Sequence, residues 1–131
     1  MSRVQLALNV SDVEQAIEFY SKLFDTRPDK VRSGYANFAI ENPPLKLVLI
    51  EKPEGGSINH LGVEVESTDD VRRATDRLTA AGIAEMTEEG VVCCYAEQDK
   101  VWTTGPDGER WEYYTVLADA DRMAATEAAC C

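Results

Sequence analysis

The chain repeats itself. "VQLALNV" at residues 4–10 reads like "NHLGVEV" at residues 59–65, so that Leu6, Leu8 and Val10 correspond to Leu61, Val63 and Val65 at a constant offset of 55 positions. Both stretches alternate with period two, as a half-buried strand does. Each is followed by a helical pattern. In the first, Val13, Ala16, Ile17, Tyr20, Leu23 and Phe24 share one face, and Ser11 with Glu14 three residues on predicts a capping box. In the second, Val71, Ala74, Thr75, Leu78 and Ala81 share the face and Gly82 is placed to end the helix. Strand candidates follow both helices, at 30–33, 35–40 and 46–51 in the first half and at 84–87, 91–97, 100–104 and 110–116 in the second. The predicted class is therefore α+β, with two strand-helix-three-strand modules, about 1–52 and 58–117, in a single domain spanning 1–117. Residues 51–57 read as the linker, and the alanine-rich tail 118–131 as a frayed helix or a disordered segment.

A chain of 131 residues is long enough for one such domain to bury a core without staples. No apolar run approaches the roughly 20 residues that cross a bilayer. The apolar patch near the start is cut short by Ser11 and Asp12, too early for a signal peptide, so the expected location is cytoplasmic. A net charge of -11, from 24 acidic and 13 basic residues spread along the chain, argues against nucleic acid and anionic membrane as partners. The cysteines form two adjacent pairs, Cys93 with Cys94 and Cys130 with Cys131. Bridging neighbours crosslinks nothing distant, so free thiols are the expectation.

If Leu6, Leu8 and Val10 lie beneath a helix, Gln5, Ala7 and Asn9 face the other way, as do His60, Gly62 and Glu64 in the second module. Gln5 and His60, the one histidine of the chain, occupy equivalent positions one repeat apart. In the last strand, Glu112 stands between Trp111 and Tyr113, among aromatic bulk rather than other charges. An amide oxygen, an imidazole nitrogen and a carboxylate suit divalent iron, manganese, nickel or zinc, and three protein ligands leave coordination positions open.

The paired modules resemble the vicinal oxygen chelate superfamily of glyoxalases, bleomycin-resistance proteins and extradiol dioxygenases, whose metal ligands come from the first and last strands of each module. Gln5, His60 and Glu112 match such positions, whereas "KLVLIE" at 46–51 offers aliphatic residues where a fourth ligand would lie. That departure resembles the three-ligand, oxygen-activating members. Over residues 1–117, "YANFAI", "PPLKLVLI", "NHLGVEV", "CCYAEQDKVW" and "GERWEYYTV" are similar in combination to the carbon-arsenic lyases of organoarsenical degradation and to the related cadmium-induced proteins. The resemblance implies an iron(II) site at Gln5, His60 and Glu112 that uses dioxygen, and capture of a trivalent organoarsenical such as methylarsonous acid by Cys93 and Cys94. Cys130 and Cys131 lie beyond it and receive no role.

Two neighbouring thiols make a soft bidentate clamp that leaves the carbon-arsenic bond outward. Neighbours on a regular strand point apart, so residues 87–94 are expected to form a mobile loop that carries the arsenical toward the metal. Phe38, Tyr95, Trp102, Trp111 and Tyr114 read as core residues or as candidates for an apolar wall, and Lys100 and Arg110 read as surface cations or as groups that steer an oxygen anion or a carboxylate beside the metal. The rival readings are a binder that sequesters cadmium or arsenite, another metal enzyme of the superfamily (an extradiol dioxygenase or glyoxalase type), and a metal-free drug-binding module. A monomer and a homodimer both fit the sequence.

Overall fold

The computed structural model describes residues 2–124, which form eight strands and two helices. Their order is β1 (Arg3–Val10), α1 (Val13–Leu23), β2 (Lys30–Arg32), β3 (Tyr35–Ile40), β4 (Leu45–Glu51), β5 (Ser57–Glu64), α2 (Thr68–Ala80), β6 (Met86–Cys93), β7 (Ala96–Thr104) and β8 (Arg110–Asp119). The expected alternation of strand, helix and three strands is present twice. Residues 3–61 form one compact unit, and among the described residues Ser2 with 62–124 form a second, so the division falls inside β5.

In the first unit β1 runs parallel to β4, with Gln5 opposite Lys46 and Leu6 opposite Leu47, while β3 is antiparallel to both β4 and β2. Leu6, Leu8 and Val10 pack against a core of Val13, Ala36, Phe38, Ile40, Leu47 and Leu49, together with Ala16, Ile17, Tyr20 and Phe24 of the helix side. The period-two face of the strand thus meets the helical face as the sequence pattern predicts. Phe38, Leu47 and Leu49 are fully buried, and each contributes about 1.5–3 kcal/mol relative to exposure. Phe38 therefore belongs to this core and forms no part of a ligand-facing wall. Leu23, expected on the buried face, is 58% exposed.

α1 starts one residue later than the sequence suggests. Asp12 is the N-cap, its carboxylate accepting from the Gln15 amide at 3.1 Å, and Glu51 Oε2 accepts from the Val13 amide at 2.9 Å. A carboxylate caps as well as a serine hydroxyl and adds a charge that favours the positive end of the helix, so Asp12 displaces Ser11 in that role. In the second unit Ser67 caps α2, accepting from the Asp70 amide at 3.2 Å while its hydroxyl donates to Asp70 Oδ2 at 3.0 Å. That hydroxyl, with Arg73 beside it, holds the Asp70 carboxyl below its ordinary range. Gly82, at φ +77°, ends the helix as expected. Val71, Ala74 and Leu78 are buried, and α2 lies against β7 and β8.

The second unit is built on antiparallel pairs, β6 with β7 and β7 with β8. The two segments expected at 84–87 and 91–97 join over Met86–Cys93 as one strand that is irregular between Glu88 and Val91, while Ala96 and Glu97 belong to β7. β8 extends to Asp119, and the chain returns so that Ala124 bridges Cys93, giving the first part of the expected tail a defined place. Cys130 and Cys131 lie outside the described residues. Among the described residues, no helix is long and apolar enough to cross a membrane.

The connection into β5 depends on one close approach. A side chain at Gly55 would overlap the backbone nitrogen of Ser11, a rigid obstacle just before the Asp12 cap. Gly55→Ala is expected to destabilise the protein by about 1–3 kcal/mol, read as a lower urea midpoint at unchanged slope. Gly56→Ala, where a side chain meets nothing within 4 Å, incurs only the backbone strain of φ +90° and serves as the comparison.

Candidate functional site

The two equivalent strand positions meet within the first unit. Gln5 and His60 are 6% and 1% exposed, and Gln5 Nε2 lies 3.2 Å from His60 Nε2. The other ring nitrogen is 2.7 Å from Asn59 Oδ1. An amide oxygen only accepts, so His60 Nδ1 carries the proton and donates, and Nε2 keeps the lone pair that faces Gln5. Asn59 is itself held, its Nδ2 donating to Asn9 Oδ1 at 2.9 Å, and Asn9 Nδ2 donates to Ser57 Oγ at 2.9 Å. Four polar side chains thus fix one imidazole tautomer, the arrangement by which a neutral histidine presents Nε2 to a metal. Gln5 adds a carbonyl oxygen on the same amide. Asn59 and Asn9 were not singled out as functional in the sequence; two asparagines flanking the repeat positions were the available signal.

Glu112 is in the second unit and is 2% exposed, which excludes a solvated edge. Its Oε1 accepts from Lys100 Nζ at 2.8 Å, and Lys100 is 1% exposed, so the reading of Lys100 as a surface cation is corrected. The ammonium also stands 5.3 Å from the Trp102 ring and 5.7 Å from the Tyr114 ring. Register explains the cluster: Lys100 opposes Tyr114 and Trp102 opposes Glu112 across β7 and β8, which sets all four on one face. Tyr114 donates to Glu64 Oε1 at 3.1 Å, and Arg110 lies 4.2 Å from the Trp102 ring. Among the described residues, no group of three or more His, Cys, Asp and Glu side chains gathers around a common point. The amide-imidazole-carboxylate set has two members of those types.

Cys93 and Cys94 occupy a tight hairpin. Cys93 ends β6 opposite Ala96, and the two residues between, Cys94 and Tyr95, have φ +53° and +60°. Left-handed values at both central positions are those of a type I′ turn, normally built from asparagine and glycine. Each costs about 1–2 kcal/mol in a residue with a side chain. The turn removes the pleat's objection, since Cys94 no longer follows strand alternation, and the sulfurs stand 3.8 Å apart. The expected loop at 87–94 is thus a paired strand and its turn. Cys93 is buried against Trp102, and Cys94 is partly exposed.

Several braces hold this arm. Asp99 accepts from the Gly90 amide and the Thr68 hydroxyl, both at 2.7 Å, pinning the irregular part of β6 to the start of α2. Gln98 Nε2 donates to the Cys93 carbonyl at 2.7 Å, and Trp102 Nε1 donates to Glu88 Oε1 at 2.9 Å. Cys93 is in a disulfide, which corrects the expectation of free thiols throughout.

Comparison with known proteins accords with this geometry. The chain is 63% identical over 126 residues to the cadmium-induced protein of Mycobacterium tuberculosis, covering 95% of this chain and 83% of that one. It is 59% identical over 134 residues to the trivalent organoarsenical cleaving enzyme of Thermomonospora curvata, covering 100% of this chain and 89% of that one. The fold is similar to that of the Mn(II)-bound glyoxalase of Novosphingobium aromaticivorans, with a TM-score of 0.65 at 22% identity over 96% of this chain and 44% of that one. Residues 3–113 match the family model described as the Glyoxalase/Bleomycin resistance protein/Dioxygenase superfamily, and the chain belongs to that superfamily.

Proposed function

We propose that this protein is an iron(II)-dependent, dioxygen-using lyase that cleaves the carbon-arsenic bond of trivalent organoarsenicals such as methylarsonous acid and yields inorganic arsenite. The observation that carries this reading is the turn that sets the Cys93 and Cys94 sulfurs 3.8 Å apart. The 59% identity to an organoarsenical cleaving enzyme supports the same substrate class.

Methylarsonous acid bears two hydroxyl groups and one methyl group on arsenic. Two thiols displace the hydroxyls, two arsenic-sulfur bonds form, two waters leave, and the carbon-arsenic bond is left facing outward. Cys93 enters this exchange as a thiol, so a thiol reductant first opens its disulfide. Trp102, packed on Cys93, shields one side of the adduct. The rigid hairpin fixes the arsenic against the frame of the second unit and replaces the mobile loop in that role. Gln5, His60 and Glu112 are the proposed ligands. Asn59 holds the His60 tautomer that a metal requires, and Lys100 orients the Glu112 carboxylate. Iron(II), when bound, supplies the activation of dioxygen.

A second reading, cysteine-based sequestration of cadmium or arsenite, is favoured by the 63% identity to a cadmium-induced protein. The two readings separate on arsenic speciation. Reduced, iron(II)-loaded protein incubated with methylarsonous acid in air is expected to release arsenite, and chelation of iron or His60→Ala should lower the rate at least 100-fold. Tight binding of the arsenical without arsenite would instead support sequestration.

The turn gives a further separation. Cys94→Gly keeps a residue suited to φ +53° and is expected to leave the chain as stable as the parent, or more stable by up to about 1 kcal/mol. It should nevertheless lose bidentate capture, seen as at least a 100-fold weaker affinity for methylarsonous acid in titration.

A further inference from the structure

Gln98 leaves one end of its amide unanswered. The residue is 4% exposed, and its Nε2 donates to the Cys93 carbonyl at 2.7 Å. A carbonyl only accepts, so this bond settles which end of the amide is nitrogen and which is oxygen. The oxygen, Oε1, is buried and has no hydrogen-bond partner. Its neighbours explain why. Gln98 opposes Val91 on β6 and Val116 on β8, neither with a polar side chain, and Lys100, next on the same face of β7, donates to Glu112. A dry acceptor without a donor lowers stability, so the position calls for a donor that arrives with a ligand. Cys93 shares that face, since it opposes Ala96, two places from Gln98 along β7. An acceptor of fixed orientation thus stands beside the buried member of the thiol pair.

We propose that Gln98 is a substrate-orienting residue whose Oε1 accepts a hydrogen bond from the arsenic-bound hydroxyl of a half-captured trivalent arsenical. This rests on the thiol capture proposed above and gives it an order and a direction. Cys94, the partly exposed member, reacts first: one arsenic-sulfur bond forms, and the thiol proton leaves with one hydroxyl as water. Arsenic then carries the Cys94 sulfur, one carbon and one hydroxyl. A hydroxyl that donates to Gln98 Oε1 lies on the Cys93 side, which turns the carbon away. Cys93, as a thiol, displaces it, and its proton leaves with the hydroxyl as a second water. An arsenical with two carbons and one hydroxyl has no donor left after the first step.

The test uses the full chain with Cys94 as its one cysteine (Cys93→Ala, Cys130→Ser, Cys131→Ser), which retains the backbone carbonyl at position 93. Iron and dioxygen are left out, so cleavage plays no part. Dissociation constants for methylarsonous acid and dimethylarsinous acid are measured with and without Gln98→Met. The substitution is expected to weaken methylarsonous acid about tenfold and dimethylarsinous acid by less than about twofold. Three results overturn the proposal: an equal change for both arsenicals, as from a glutamine that only braces the turn; no change, as from an oxygen that only holds a water; or no binding while the reduced parent binds. A second reading needs no change at Gln98. Its side-chain carbonyl carbon-13 resonance should shift with methylarsonous acid and hold still with dimethylarsinous acid, and an unmoved resonance overturns the proposal even where Gln98→Met fails to fold. Absence of methylarsonous acid binding by the reduced parent removes thiol capture, and this proposal with it. Discrimination between the arsenicals without arsenite release from the iron-loaded parent upholds the orientation and removes the cleavage.

Discussion

A polar side chain buried in a sheet has to be answered by another, because in a medium of low polarity an unpaired donor, acceptor or charge costs more than most single contacts return. That constraint governs both units. In the first, His60 is answered by Gln5 and Asn59, Asn59 by Asn9, and Asn9 by Ser57. In the second, Glu112 is answered by Lys100, Asp99 by Gly90 and Thr68, and Gln98 Nε2 by the Cys93 carbonyl, whereas Gln98 Oε1 and, in the first unit, Asn37 Oδ1 stay buried without a partner. The apolar clusters supply the bulk of the stabilisation, but these polar chains decide which atoms are presented and in which protonation state.

Strand and helix periodicity made much of the plan legible in advance. Residues 4–10 and 59–65 alternate so regularly that their buried faces follow directly, and the 55-residue repeat singles out Gln5 and His60, which the structure brings within 3.2 Å. Periodicity gives faces, however, and register is a separate quantity. Lys100 looks like any charged residue until the pairing of β7 with β8 sets it beside Glu112, twelve positions away, between two aromatic rings. The N-cap slipped by one residue for a similar reason: Ser11 and Asp12 are both competent caps, and the choice depends on Glu51, far along the chain, which accepts from the Val13 amide. Phe38 could be read as core or as site wall, because an aromatic residue in a strand carries no mark of which face it takes, and it takes the core.

The Cys94–Tyr95 turn was the least legible element. Nothing in "CCYA" signals left-handed backbone, since the residues that tolerate it, glycine and asparagine, are absent. The strained conformation is held by what surrounds it: pairing of Cys93 with Ala96, the Ala120 amide donating to the Tyr95 carbonyl at 2.9 Å, and the return of the chain that brings Ala124 beside Cys93. Backbone strain maintained by its surroundings is characteristic of positions where side-chain direction matters more than stability.

A two-residue turn also makes spacing an all-or-nothing property. Inserting one residue between the cysteines, or deleting Tyr95, would convert the hairpin to another class and slide β6 against β7, and because strand side chains alternate, every residue of the arm would exchange its face. Trp102 would then part from Cys93, and Asp99 from Gly90. In this scaffold the adjacency of the thiols is written into the pairing frame of the whole hairpin, and descendants that alter the grip on their ligand have room to vary the neighbouring side chains and almost none to vary the count.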